Sequence, residues 1–158
     1  MQLLNRHFEI FADYHQFYLW DAGVIQLAPE DYTDDDVRRR VKVAPNVVVV
    51  QPERNMTVPV DFELHDGDPQ YGASRWDHIV ECSLELPTRK FQIHECTGGP
   101  VFDLVVAAGL YRVRVLFSGL GTLSVDGLDG DDHYSIFMWP GSAIPLTVVK
   151  QWPGDRRG

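Results

Sequence analysis

The chain has 158 residues, 44% of them hydrophobic, with eight Phe, six Tyr and four Trp. That composition excludes a disordered chain and suits one domain with a sizeable core. Asp and Glu number 23 against 14 Lys and Arg, a net charge of −9, which repels phosphate backbones and argues against direct DNA or RNA binding.

No stretch approaches about 18 uninterrupted apolar residues, so no membrane association is expected. The N-terminus, Met1-Gln-Leu-Leu-Asn-Arg-His-Phe-Glu9, lacks the basic region and apolar run of a signal peptide, and a cytoplasmic location is expected.

Residues 7–12 read as a strand with Phe8 and Ile10 on one face. Residues 15–20 follow, Phe17 and Leu19 alternating with Tyr18 and Trp20. With only Asp13 and Tyr14 between them, the two runs are expected to form a tight hairpin or one bent strand. Thr33-Asp-Asp-Asp-Val-Arg-Arg-Arg40 is the helix candidate. Thr33 can cap it, Asp36 completes a capping box, and acids lead while arginines close, as the helix dipole favours.

Val43 and Val47–Val50 form a buried strand run that Pro45 interrupts and Pro52 stops. Met56, Val58, Val60, Phe62 and Leu64 share one face of the next strand. Pro59 has no N–H to donate, which favours an edge position for that strand. Residues 76–86 and 91–96 read as a hairpin around Pro87-Thr-Arg-Lys90. In that register Cys82 opposes Glu95 and Cys96 points to the other face, so both thiols are expected to be free. Residues 101–107 form a further apolar run.

In Gly109-Leu-Tyr-Arg-Val-Arg-Val115, Tyr111, Val113, Val115 and then Phe117 share a face, and Arg112 and Arg114 take the other. The Gly-x-Tyr entry is similar to the tyrosine corner of Greek-key sandwiches, whose hydroxyl bonds to backbone across the corner. Residues 134–139 and 144–149 are the last strands, and 151–158 are expected to be a frayed tail. The whole reads as an all-β fold: an antiparallel β-sandwich, Greek-key or jelly-roll-like, over 1–150, with one short helix near 33–40.

Asp126-Gly-Leu-Asp-Gly-Asp-Asp132 is the most unusual stretch, with four carboxylates and two glycines in seven residues between two strands. Asp126, Asp129, Asp131 and Asp132 are hard oxygen donors suited to calcium, but their order is not that of an EF-hand. Asp66-Gly-Asp68 is a candidate second ligand set. A solvated turn presenting negative charge is the other reading.

The six histidines show neither His-x-His nor His-Glu-x-x-His spacing, so zinc hydrolase chemistry lacks its usual signature. Whether His7, His15 and His133 gather is left to the fold. No nucleophile elbow, phosphate-binding loop or dinucleotide fingerprint occurs. Tyr18, Trp20, Trp76 and Trp139 stand on outer faces, where they can stack on a sugar, anchor a partner, or simply pack.

Two blocks resemble known proteins. Asp13-Tyr-His-Gln-Phe17 resembles the Tyr-His-Gln-Phe block of the competence protein J family, small bacterial proteins described as inhibitors of the DNA-entry nuclease. Residues 109–115 with 130–140 are similar to the C-terminal half of uncharacterised bacterial proteins. The resemblance implies a bacterial, non-enzymatic, partner-binding β-protein in which Tyr14, His15, Gln16 and Phe17 are motif positions.

The expected function is therefore a protein-interaction module, an acidic inhibitor or immunity-type partner of a nuclease. Asp126, Asp129, Asp131 and Asp132, or Asp34–Asp36, would stand in a basic cleft where phosphates otherwise sit. Tyr14, His15, Gln16 and Trp20 join them in the expected partner contact. A calcium- or carbohydrate-binding sandwich is the alternative. No catalytic residue, metal site or cofactor is assigned.

Overall fold

Alternating apolar residues sort the strands into two facing sheets. The structure is a computed structural model and describes residues 1–25 and 27–154. Its strands are β1 (Gln2–Phe11), β2 (Phe17–Asp21), β3 (Val41–Ala44), β4 (Val47–Val50), β5 (Thr57–His65), β6 (His78–Leu86), β7 (Lys90–Glu95), β8 (Pro100–Val105), β9 (Gly109–Ser118), β10 (His133–Pro140) and β11 (Thr147–Lys150). One sheet runs β1-β5-β10-β9-β6-β11 and the other β3-β4-β2-β7-β8. The expected all-β sandwich is the fold. Its pairings are antiparallel except between β5 and β10, which run parallel.

The core lies between the sheets. Val58, Val60 and Phe62 of β5 and Tyr111, Val113, Val115 and Phe117 of β9 face Phe17, Leu19, Phe91 and Ile93 from the opposite sheet. The Phe62 and Phe91 rings stack across the gap, centroids 5.0 Å apart.

Two connections, the hairpin or bent strand expected over residues 7–20 and the hairpin expected over residues 76–96, are in fact crossings between sheets. β1 and β2 are joined by a 3-10 turn, Asp13–His15, and belong to different sheets. The same holds for β6 and β7. The expected faces hold all the same: Leu84, Leu86, Phe91 and Ile93 all enter the core, but from opposite walls. Cys82 and Cys96 are free, for a different reason than the expected register. Cys82 lies in the central core, and Cys96 packs on the outer face of the other sheet.

Pro59 also departs from expectation. β5 is an inner strand between β1 and β10. The parallel ladder to β10 begins at Val60, one residue past the proline, so the missing N–H falls where no β10 partner is paired.

The helix α1 (Asp34–Arg39) has the expected capping box, with the Asp36 N–H donating to Thr33 Oγ1 and the Thr33 N–H to Asp36 Oδ2. The segment before it covers the outer face of the β2–β4 sheet. Tyr18, Trp20, Val47 and Val49 pack there against Ala28 and Tyr32. Both faces of β4 are thus covered, which explains its unbroken valine run.

On the other sheet, Ile79, Leu116, Phe137 and Trp139 lie beneath Tyr71 and Trp76. Arg114 fastens that covering loop. Its guanidinium sits 4.1 Å from the Tyr71 ring centroid and 4.7 Å from that of Trp139. It also donates to Glu81, Asp68 and the Pro69 carbonyl.

The Tyr111 hydroxyl donates to the Ala107 carbonyl at 2.6 Å, completing the tyrosine corner. Tyr111→Phe removes this bond alone, and about 1 kcal/mol of stability is expected to go with it. The urea midpoint measures it; an unmoved midpoint would mean that the corner is held by packing only.

The chain's end is fastened over its described part. Trp152 packs on the core, and its N–H donates to His78 Nδ1 at 3.0 Å. His78 Nε2–H in turn donates to the Arg39 carbonyl at 2.6 Å. Burial pushes the His78 pKa down to about 4, so a neutral ring serves both bonds. Residues 155–158 of the expected tail lie outside the described residues. Among the described residues, no helix is long and apolar enough to cross a membrane.

Candidate functional site: the loop end of the sandwich

Strand directions bring several loops together. β1 ends opposite the start of β5, Phe11 facing Thr57. β10 starts beside β5 and beside the end of β9, His133 facing Ser118. In the other sheet, the start of β2 lies between the ends of β4 and β7, Phe17 facing Val50 and Glu95. Loops 12–16, 51–56, 96–99 and 119–132 therefore leave the sandwich at one end. Tyr14 and the acidic loop, more than a hundred residues apart in sequence, both belong to it.

Tyr14 and His15 both lie in the left-handed region, at φ 57°. For non-glycine residues this costs on the order of 1–3 kcal/mol each, so surrounding contacts must hold them. The His15 N–H donates to the Ala12 carbonyl (2.9 Å) and the Gln16 N–H to that of Asp13 (3.2 Å). His15 Nδ1 lies 3.0 Å from the Pro52 carbonyl. Thr97 Oγ1 donates to Asp13 Oδ2 at 2.8 Å. Gln16 Oε1 accepts from the Tyr18 hydroxyl at 2.9 Å. The result is a braced turn with Tyr14 67% exposed at its tip.

Trp20 is not part of this end. It sits farther along β2, opposite Val47, and is 7% exposed. Its Nε1–H donates to Gln92 at 2.8 Å and its ring stacks on Tyr18 at 5.1 Å. Its surroundings are those of a packing residue.

The acidic loop splits into an exposed tip and a buried root. At the tip, Asp126 accepts from Ser124 Oγ (2.6 Å) and the Leu128 N–H (3.1 Å). These bonds, that from Ser124 first, lower its pKa. Gly127 takes the positive φ the turn needs, 74°. The Asp131 N–H donates to Thr122 Oγ1, leaving its carboxylate exposed like those of Asp126 and Asp129.

Asp132 differs: it is 1% exposed. It accepts from Arg54 Nε and from the Tyr134 hydroxyl, both at 2.5 Å. Burial, then the Asp132 charge, pushes the Tyr134 pKa well above its ordinary value, so the phenol stays protonated and donates. The expectation of four outward carboxylates is corrected to three.

Segment 51–56 joins the parts. Pro52 meets His15, and the Glu53 N–H donates to the Tyr134 hydroxyl at 2.9 Å. The Glu53 carboxylate accepts from Arg40 Nε at 2.9 Å, and Arg54 holds Asp132. Arg40, 2% exposed, also donates to the Gly154 carbonyl at 2.9 Å. The only local signal for this hub is charge next to the valine run of β4, Arg40 before it and Glu53 after it.

Asp34 and Asp35 stand on the exposed first turn of α1, whereas Asp36 is turned to Lys42 at 2.8 Å. Asp66 and Asp68 do not join the acidic loop. Asp66 pairs with the Met1 ammonium and Asp68 with Arg114. Among the described residues, no group of three or more His, Cys, Asp or Glu is arranged to hold a metal ion. Beside Arg114 lies a shallow cleft lined by Asp68, Pro69, Gln70 and Tyr71. Each of the three Arg114 nitrogens is already used by a protein acceptor.

The class defined so far is a two-sheet β-sandwich that carries a braced, tyrosine-tipped turn and an acidic loop at one end. Solved structures share this fold. The chain is similar to ComJ, inhibitor of the DNA degrading activity of NucA, from Bacillus subtilis. The TM-score is 0.66 and the identity 15%, over 89% of this chain and 98% of that one. It is also similar to the crocagin biosynthetic gene J product, with TM-score 0.54 and 20% identity over 87% and 96% of the two chains. No protein-family model and no curated protein matches the sequence.

Proposed function

We propose that the chain is a cytoplasmic bacterial protein, a non-enzymatic protein-interaction module that inhibits, or confers immunity to, a nuclease. It engages a basic protein surface with the loop end. The supporting observation is that an exposed tyrosine on a braced turn and three exposed carboxylates leave the sandwich at the same end. The likeness in fold to a nuclease inhibitor supports the same reading. A cleft that binds nucleic acid is rich in cations, and Asp126, Asp129 and Asp131 offer it anionic oxygens in place of phosphates. Tyr14 brings a large, partly apolar ring to the contact. His15 and Gln16 position that ring, and Asp132 positions the acidic loop. Trp20 acts from further back by packing under Tyr18.

The test is binding to a DNA-degrading nuclease of the NucA kind, followed by surface plasmon resonance at low and high salt. Neutralising Asp126, Asp129 and Asp131 together to Asn is expected to slow association roughly tenfold at low salt and to flatten the salt dependence. An unchanged association rate would remove the acidic loop from the contact.

A further inference from the structure

The outer face of β1, β5 and β10 carries a contiguous set of histidines and carboxylates. His7 of β1 lies directly opposite Asp61 of β5. Its Nδ1 is 2.7 Å from Asp61 Oδ1, and its Nε2 is 2.6 Å from Glu9 Oε2. His133 of β10 places Nε2 2.9 Å from the other oxygen of Asp61. Next along β5, His65 Nε2 lies 2.9 Å from Glu63 Oε1. Ser135 Oγ is 3.4 Å from His133 Nε2, and the Trp76 ring stacks on His133 with centroids 6.2 Å apart. Among the described residues, no lysine or arginine pairs with Glu9, Asp61 or Glu63.

An ionised carboxylate only accepts hydrogen bonds, and both ring nitrogens of His7 face one. A neutral imidazole has one N–H and one lone pair, so it can satisfy only one of the two contacts. An imidazolium donates to both. We propose that His7 is a proton-operated clamp on edge strand β1. Protonated, it ties Glu9 of β1 and Asp61 of β5 through one ring. Neutral, it leaves one of those carboxylates against a lone pair and loosens the edge.

The bonds to Asp61 and then Glu9 raise the His7 pKa above its ordinary 6.5. A raised folded value gives stability that is complete below the unfolded pKa. It is lost as pH rises through the folded one. β1 is where such a loss shows, because it pairs on one side only, and an edge strand with a single ladder opens before the interior does. The clamp is a property of β1 and β5 and does not depend on any partner.

The experiment is amide hydrogen exchange of β1 residues bonded to β5, corrected for intrinsic exchange and referred to β9 amides. Between about pH 5.5 and about pH 8.5, β1 protection is expected to fall roughly two- to fivefold, the range of an exposed ion pair. In His7→Gln the fall should vanish. A flat wild-type profile, or an equal fall in His7→Gln, overturns the clamp. An NMR titration of the His7 ring is the second measurement. Its midpoint should lie above 6.5 and drop in Glu9→Gln, and an unraised midpoint that ignores Glu9 also overturns the proposal.

Discussion

Arg40→Met is expected to lower the unfolding free energy by about 3–5 kcal/mol, because it leaves the Glu53 carboxylate buried without its cation. Arg40 is 2% exposed and Glu53 6%, so water cannot replace the lost guanidinium. The substitution also frees the Gly154 and Arg38 carbonyls that Arg40 holds. Methionine keeps most of the side-chain volume and meets the same left-handed backbone, φ 64°, so the loss reports on charge and hydrogen bonding. Urea unfolding measures it as a lower midpoint at unchanged slope.

The paired variant sharpens the result. Arg40→Met with Glu53→Gln removes both charges and should lose less than Arg40→Met alone, since the penalty lies in the orphaned carboxylate. A single-variant loss below about 1 kcal/mol would mean that the pair behaves as an exposed one.

Asp132→Ala is the second large effect, with an expected loss of about 3 kcal/mol. It takes away the acceptor of the Tyr134 O–H, on a residue with no exposure, and the partner of the Arg54 guanidinium, on one only partly exposed. Asp129→Ala, three residues away on the exposed tip, should stay within about 0.5 kcal/mol of the parent. The contrast separates the loop's root from its tip. Equal losses at the two positions would contradict a buried Asp132. Equal binding defects would need separate explanations, one through disorder of the loop and the other through lost contact charge. Thermal unfolding of each variant, run beside its association rate, tells these apart.

Several features were legible in the residues alone. The helix start could be read because Thr33 and Asp36 act on backbone three residues away. The Tyr111 corner could be read because its bond closes over four residues, to Ala107. The inward faces of β5 and β9 could be read because a strand alternates whatever lies beside it. The acidic loop could be read as a connection because apolar alternation runs up to it on both sides, and three of its four carboxylates are exposed.

The misplaced features share a cause. Nothing local distinguishes the turn at Pro87–Lys90 as a hairpin from the same turn as a corner between sheets. Nothing near Pro59 says that a strand starting at His133 will lie alongside β5. Asp132 resembles its neighbours in sequence; only Arg54, brought across by the segment between β4 and β5, and the burial of Tyr134 in β10 make it an anchor. Trp20 looks like a free outer aromatic until Ala28 and Tyr32 fold over that face. His7 and His133 carry no motif spacing, yet they reach opposite oxygens of one carboxylate.

The amino-acid order by itself determined the all-β class, the inward faces of strands such as β2, β5 and β9, the single capped helix and the acidic character of one loop. These follow from period-two alternation, from capping within one turn and from charge density, all of which act over a few residues. The tertiary structure alone decided which strands are neighbours, that Tyr14 and the acidic loop share one end, and that Asp132 is an anchor. Those outcomes depend on contacts between residues far apart in the chain, and alternation specifies a face without specifying a partner.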